Sequence, residues 1–139
     1  MTYDHHDIGS RAGPVAPSGW VGQIVSDALQ ETPAQKIVLG LAACGCHWSS
    51  TGTTVEIHDP LAASLAQRAG VPIQRSAASQ DAHFTYTAAS GTVHQVWYEN
   101  SRSDGLKVAL ARQDHLGGAA IWRRGDETSA FWQRLQGIR

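Results

Sequence analysis

Tyr3 and Asp4 stand side by side near the start of the chain, and together they place a neutral hydroxyl donor next to a carboxylate. Such a pair suits the holding of a polar substrate group and the stabilisation of positive charge developing beside it. The alternative is a solvated strand end in which Asp4 caps a turn. A second concentration of reactive side chains is Cys44-Gly45-Cys46-His47. Two cysteines separated by a single residue would close a strained ring if joined. Zinc sites use wider spacing, such as C-x2-C, with a second pair of ligands. Even with His5 and His6 considered, the pattern reads as free thiols and small apolar fillers at a strand end, and no metal site is expected.

These groups need elements to hold them. Met1-Thr2-Tyr3-Asp4 has the character of a strand end, and residues 10–19 form a Gly/Pro/Ser-rich loop that no regular element could cross. Residues 19–30 repeat apolar side chains at helical spacing through Trp20, Ile24, Val25, Ala28 and Leu29, and Thr32-Pro33 ends the pattern. Residues 36–43 are a continuous apolar run, the type expected of a parallel strand covered on both faces. Strand, helix and buried strand in that order predict a crossover unit of an α/β protein.

The rhythm then breaks. Residues 49–54 read as a loop, Asp59-Pro60 starts a short helix running to Ala69, and Gly70-Val71-Pro72 stops it. Residues 83–87 and 93–98 flank a glycine-containing turn and predict a hairpin. Residues 49–100 are therefore expected to form an inserted helix-plus-hairpin subdomain. Ser101 or Ser103 is expected to cap the next helix, with Leu106, Ala109 and Leu110 along one face. Gly117-Gly118 leads into a strand ending at Trp122, and Asp126-Glu127-Thr128 opens a last helix that turns Phe131, Trp132 and Leu135 toward the core.

With 139 residues, 42% of them hydrophobic, there is room for one domain of ordinary size. Eleven basic and twelve acidic residues give a net charge of -1, so no electrostatic footprint favours nucleic acid or an anionic membrane. A neutral or polar small partner fits better. No apolar stretch approaches the roughly 18 residues of a membrane span. No basic-then-apolar leader opens the sequence. As given, the chain reads as cytoplasmic, and a secreted or cell-wall location is expected instead if a further region precedes Met1.

Several blocks, in order, resemble glycoside hydrolase family 18, the chitinase-like barrels that include bacterial cortex-lytic and spore-germination hydrolases. Met1-Thr2-Tyr3-Asp4 resembles the family's sixth-strand motif, and Gly13-Pro14-Val15-Ala16-Pro17 with Trp20 resembles the loop and helix start after it. Residues 36–41 are similar to the seventh strand, with Trp48 matching the aromatic just beyond. His94-Gln95-Val96-Trp97-Tyr98-Glu99-Asn100, with Ser101 and Lys107, is similar to the hairpin strand and seventh helix. Gly117-Gly118-Ala119-Ala120-Ile121-Trp122 resembles the eighth strand.

The resemblance implies an α/β fold comprising the C-terminal part of a (β/α)8 TIM barrel, about its last three strand-helix units, with a small α+β insertion; a whole barrel needs about 250 residues. It implies a substrate-assisted mechanism on N-acetylglucosamine polymers such as chitin or peptidoglycan, in which the sugar's own N-acetyl oxygen attacks the anomeric carbon. Tyr3 and Asp4 would hold the N-acetyl group in supporting catalytic roles, Trp122 would form an apolar floor under the sugar ring, and Trp48 would join the substrate-binding wall. No cofactor or metal is implied. The family's D-x-x-D-x-D-x-E signature occurs nowhere in the sequence, so the chain is expected to be inactive alone. Its open strand edges are expected to demand a homo-oligomer or a complementary upstream half-barrel. The alternatives are a non-catalytic carbohydrate-binding or assembly module, and a small α/β domain whose resemblance is only historical.

Overall fold

The computed structural model describes residues 1–136 as a mixed α/β protein with two sheets. Helix α1 (Ser18–Glu31) is followed by a 3-10 turn at Ala34–Lys36 and strand β1 (Val38–Ala42). Strands β2 (Cys44–Ser49) and β3 (Thr54–His58), helix α2 (Asp59–Ala69), and strands β4 (Gln74–Arg75), β5 (Ala82–Thr87) and β6 (Val93–Tyr98) come next. Helix α3 (Ser101–Gln113), strand β7 (Gly118–Trp122) and helix α4 (Ser129–Leu135) complete the chain. The side chain of Leu135 lies outside the described residues. Among those residues no helix is long and apolar enough to cross a membrane.

Strands β1 and β7 pair in parallel, Val38 opposite Gly118 through Ala42 opposite Trp122, with α3 preceding β7 in the crossover. Leu39 and Leu41 of β1 pack with Val21 and Val25 of α1, Val108 and Ala111 of α3, and Phe131 of α4 in one buried cluster. The buried stripe of α1 runs through Val21 and Val25, with Trp20 and Ile24 only half-buried. On α4 only Phe131 of the aromatic pair turns inward. Trp132 is exposed and meets Phe131 edge-on.

The other five strands form an antiparallel sheet in the order β3-β2-β6-β5-β4. One face is closed by α2, where Ala62 and Ala66 pack on Ile57, Phe84, Val96 and Tyr98. Gly70 adopts a left-handed conformation that ends α2 as the sequence predicts. The turn between β5 and β6 sits around Gly91, also as predicted.

Three expectations are corrected. Residues 1–4 do not form a regular strand: Thr2 alone bonds to Gly40 of β1, and Asp4 turns into the left-handed region with φ 64°, ending the extension. Asp is among the few non-glycine residues that accept this conformation readily. Residues 44–49 are not fillers at a strand end but a central strand, β2, paired with β3 on one side and β6 on the other. Gly45 permits the approach, because a Cβ there would overlap the Trp97 carbonyl and Tyr98 on β6. Helix α3 is capped by Asn100 rather than by Ser101 or Ser103. The Asn100 side chain accepts from Arg102 and Ser103 backbone N–H groups while Ser103 returns a bond to the Asn100 N–H, a complete capping box.

Candidate functional site

Tyr3 and Asp4 are placed by the residue before them. Thr2 is buried and donates to the Gly40 carbonyl from both its backbone N–H, at 3.2 Å, and its hydroxyl, at 2.7 Å. Glycine opposite eases this approach, since a Cβ at position 40 would stand 3.0 Å from Met1 Cα and 3.4 Å from the Tyr3 ring and would press both back by a few tenths of an ångström. The turn at Asp4 then sends the chain outward, and His5 N–H bonds to the Val15 carbonyl at 3.0 Å to fasten the loop behind it. Asp7 folds the loop tip by accepting from Gly9 N–H at 2.8 Å.

Trp122 reaches the same place from the far end of the sequence. It is the last residue of β7, opposite Ala42, and its carbonyl accepts from Ala43 N–H at 2.6 Å. The peptide bond to Arg123 is cis. Its side chain is 54% exposed and lines a cavity of about 240 Å³ together with Tyr3 and Asp4. Ile8, Val15 and Ala42 supply apolar wall, and Asp7, Cys44, Cys46 and Glu56 supply most of the polar groups.

Trp48, the fourth expected site residue, does not line this cavity. It is only 6% exposed, packs with Val15 and Cys46, and donates from its indole Nε1 to the Ser10 carbonyl at 2.9 Å. Register explains the placement: Trp48 shares a face of β2 with Cys46 and lies against the underside of residues 7–15. It supports the loop that carries Asp7 and Ile8.

Electrostatics keep most of the cavity's proton donors protonated. Burial, then the neighbouring Asp4 and Cys44, raise the Tyr3 hydroxyl above its ordinary value, so it remains a hydrogen-bond donor at neutral pH. Burial and then Asp7 raise the Asp4 carboxyl. The Cys44 thiol is pushed up to about 12 by burial and then by Glu56, and Cys46 likewise to about 12 by burial and then by Asp7. Both cysteines are free, and neither is a thiolate nucleophile at neutral pH. No three His, Cys, Asp or Glu side chains among the described residues converge in a way that could hold a metal ion.

A second polar cluster escaped the sequence reading. Glu99 and Lys107 form an ion pair with both side chains almost wholly buried. Asp81, Asp104 and Ser103 are buried as well, within 2% exposure for all three. Asp81 accepts from Ala16 N–H at 3.2 Å, and one oxygen each of Asp81, Glu99 and Asp104 has no partner among the described residues. The cluster clamps the antiparallel sheet and the residue 16 loop to α3. Its only signal in the sequence is the presence of Glu99 and Lys107 in a family-like block.

The aromatic residues of the antiparallel sheet sit apart from the cavity. His94 is half-buried and its Nδ1 lies 2.9 Å from His47 Nε2, which also meets Tyr86 Oη at 3.2 Å. Trp97 stacks on His83 with ring centres 4.3 Å apart.

Residues 1–127 match the sequence model of the glycosyl hydrolases family 18. The chain is 33% identical to the cortical fragment-lytic enzyme of Bacillus subtilis over 97% of its own length and 32% of that enzyme's. It is 29% identical to a B. subtilis protein described as the uncharacterized glycosylase YvbX, over 98% of this chain and 40% of that one. Among solved structures, the spore cortex-lytic enzyme SleL of Bacillus cereus superposes with a TM-score of 0.92 at 29% identity, covering 97% of this chain and 32% of SleL. A chitinase of Chromobacterium violaceum superposes at 0.90 with 34% identity, covering 97% and 43%. The chain thus spans 32% and 40% of the length of these two curated relatives.

Proposed function

The chain belongs to the glycosyl hydrolases family 18, and from that membership we propose that it is the C-terminal part of a (β/α)8 barrel that binds N-acetylglucosamine-containing glycan, of the peptidoglycan or chitin type. The observation that carries this reading is the convergence of Tyr3, Asp4 and Trp122 on one cavity from opposite ends of the described chain. A flat, half-exposed indole suits the C–H face of a pyranose ring. The Tyr3 hydroxyl, held protonated, is a donor for the acetamido oxygen, and Asp4 is an acceptor for its N–H or for developing positive charge. Trp48 acts in this reading as a positioning residue for the residue 7–10 loop.

Hydrolysis would additionally need an acid to protonate the leaving oxygen, and the family's acidic signature is absent from the sequence. We therefore propose binding without turnover for this chain alone, with the acid supplied by the remainder of a barrel. Titration of the chain with N-acetylglucosamine tetramer tests the binding. Measurable affinity in the chain and its loss in Trp122→Ala are expected, and no affinity would sink the reading. Mixing the chain with a recombinant upstream portion of a relative and assaying the same oligomer tests the split-barrel part, for which activity only in the mixture is expected.

A further inference from the structure

Two arginines meet at a place the Trp122 cavity does not reach. Arg75, from the edge strand β4, and Arg102, from the first turn of α3, line a separate cavity of about 140 Å³ with the amide side chains of Gln74, Gln80 and Asn100. No aspartate or glutamate lines it, and it shares no residue with the cavity at Trp122. Neither arginine has an acidic partner among the described residues, whose two ion pairs are Glu99–Lys107 and Arg123–Asp126. Burial is the largest cause lowering the Arg75 guanidinium, the Arg102 charge comes next, and Glu99, already tied to Lys107, pulls the other way with less effect. The net influence of the surroundings on Arg75 is thus repulsive. Like charges at one small cavity carry a cost that an anion between them would reverse.

Arg75 is held for this role. It is half-buried, and its Nε donates to Gln80 Oε1 at 2.8 Å. Gln80 is itself fixed in the left-handed region with φ 70°, its backbone N–H bonding to the Ser76 carbonyl at 2.9 Å and its Nε2 to the Ala77 carbonyl at 2.7 Å. A non-glycine residue adopts that backbone at a cost, and here it accompanies an amide oxygen locked onto a guanidinium. The terminal nitrogens of Arg75 are left as donors without a protein acceptor among the described residues. Arg102 is exposed and opposes it from α3. The Asn100 side-chain oxygen already accepts from the Arg102 and Ser103 backbone N–H groups, so the helix end is satisfied and the available donors are those of the two arginines.

We propose that Arg75 and Arg102 form a binding site for a compact oxyanion of the carboxylate or phosphate class, distinct from the cavity at Trp122. A guanidinium meets either group through paired, charge-assisted hydrogen bonds, and two guanidinium groups on one anion replace their repulsion with shared attraction. Arg75, restrained by Gln80, is the fixed half of the clamp, and the exposed Arg102 is the half that closes. The inference is independent of the glycan reading.

Titration of the full chain with acetate and, separately, with inorganic phosphate tests it, followed by nitrogen–proton NMR of the arginine side chains and backbone amides, with ionic strength held constant by chloride. Saturable shifts at both arginines with either anion are expected, and the anion that binds more tightly names the ligand's acidic group. Arg75→Gln should weaken binding about tenfold and the exposed Arg102→Gln about threefold. Gln80→Asn, which keeps both charges and suits the left-handed backbone but shortens the side chain that holds Arg75, should weaken it about threefold. Arg102→Gln sits at an exposed position and carries the test if Arg75→Gln does not fold. Absence of a saturable shift with both anions, shifts that chloride alone reproduces, or binding that survives in the double variant Arg75→Gln/Arg102→Gln overturns the proposal. Failure of N-acetylglucosamine tetramer to bind, with oxyanion binding intact, sinks the glycan reading and leaves this site standing.

Discussion

Lys107→Met should cost this protein more at alkaline than at acidic pH. Lys107 is the single cation in a buried cluster with Glu99, Asp81 and Asp104. Burial is the largest cause raising all three carboxyls, with Glu99 reaching about 7 even while Lys107 pulls it down. A carboxyl whose folded pKa lies above its unfolded value binds its proton more tightly in the folded state. Its contribution is fully present below the unfolded value near 4.5 and disappears as pH rises through about 7. Removing the ammonium leaves Glu99 two choices, to take up a proton or to remain a buried charge without a partner. Near pH 5 the proton is available and the loss should be about 1–2 kcal/mol, close to that of a buried hydrogen bond. Near pH 8 the loss should approach about 3–5 kcal/mol, the cost of breaking a buried ion pair from one side. A loss of that size is a large part of the about 5–15 kcal/mol that holds a domain folded. Urea denaturation of both proteins at the two pH values measures the difference from the midpoints at constant slope. Equal losses at both pH values would refute the argument, as would a double variant Glu99→Gln/Lys107→Met no more stable than Lys107→Met at the higher pH.

Trp122→Ala should weaken binding of N-acetylglucosamine tetramer at least about tenfold by calorimetry, because the exposed indole is the flat apolar surface of the cavity. Asn100→Ala should destabilise the chain by about 1 kcal/mol in a thermal or urea melt, and Ser101→Ala by much less, since the side-chain cap of α3 comes from Asn100. Cys44 and Cys46, pushed up to about 12, should alkylate far more slowly than a free thiol at mildly alkaline pH and at the ordinary rate once denatured. Rapid labelling of the folded chain would show that the thiols are not held in the buried setting described.

The elements with strong periodicity were readable without the structure. The apolar run of β1, the existence of α1, the stop at Gly70 and the hairpin around Gly91 follow from spacing and turn chemistry, whereas the fully buried residues of α1 are Val21 and Val25, the first of which the helical reading left out. Tyr3 and Asp4 stood out by their chemistry, but that Trp122 lines the same cavity had no local signal, because it comes there through the pairing of β1 with β7. Three things were hidden for physical reasons. The β2 segment Cys-Gly-Cys-His-Trp-Ser lacks the β-branched residues that mark a strand, and its glycine answers to a partner strand far along the chain. Trp48 matches a family aromatic, yet which face of β2 it occupies depends on a strand that was itself unrecognised. The Glu99–Lys107 pair lay in a block matched only by resemblance, because burial of ionic groups has no signature in hydrophobic periodicity.

The antiparallel sheet begins one residue after Ala43 and hands the chain to α3 just after Tyr98, and at that junction Glu99 N–H bonds to the Cys44 carbonyl at 3.1 Å. The excursion leaves and rejoins the β1–α3–β7 unit almost at a single point. For that unit it is therefore a closed loop, and the entropy of closing a loop grows only slowly with its length. Closing the excursion therefore costs little, and what fixes the sheet against the unit is the buried Glu99–Lys107 pair and the bond from Ala16 N–H to Asp81. What the sheet brings to the cavity is Glu56 of β3 with Cys44, Gly45 and Cys46 of β2, so one wall of the space under Trp122 is built by the excursion and the other by the unit it leaves.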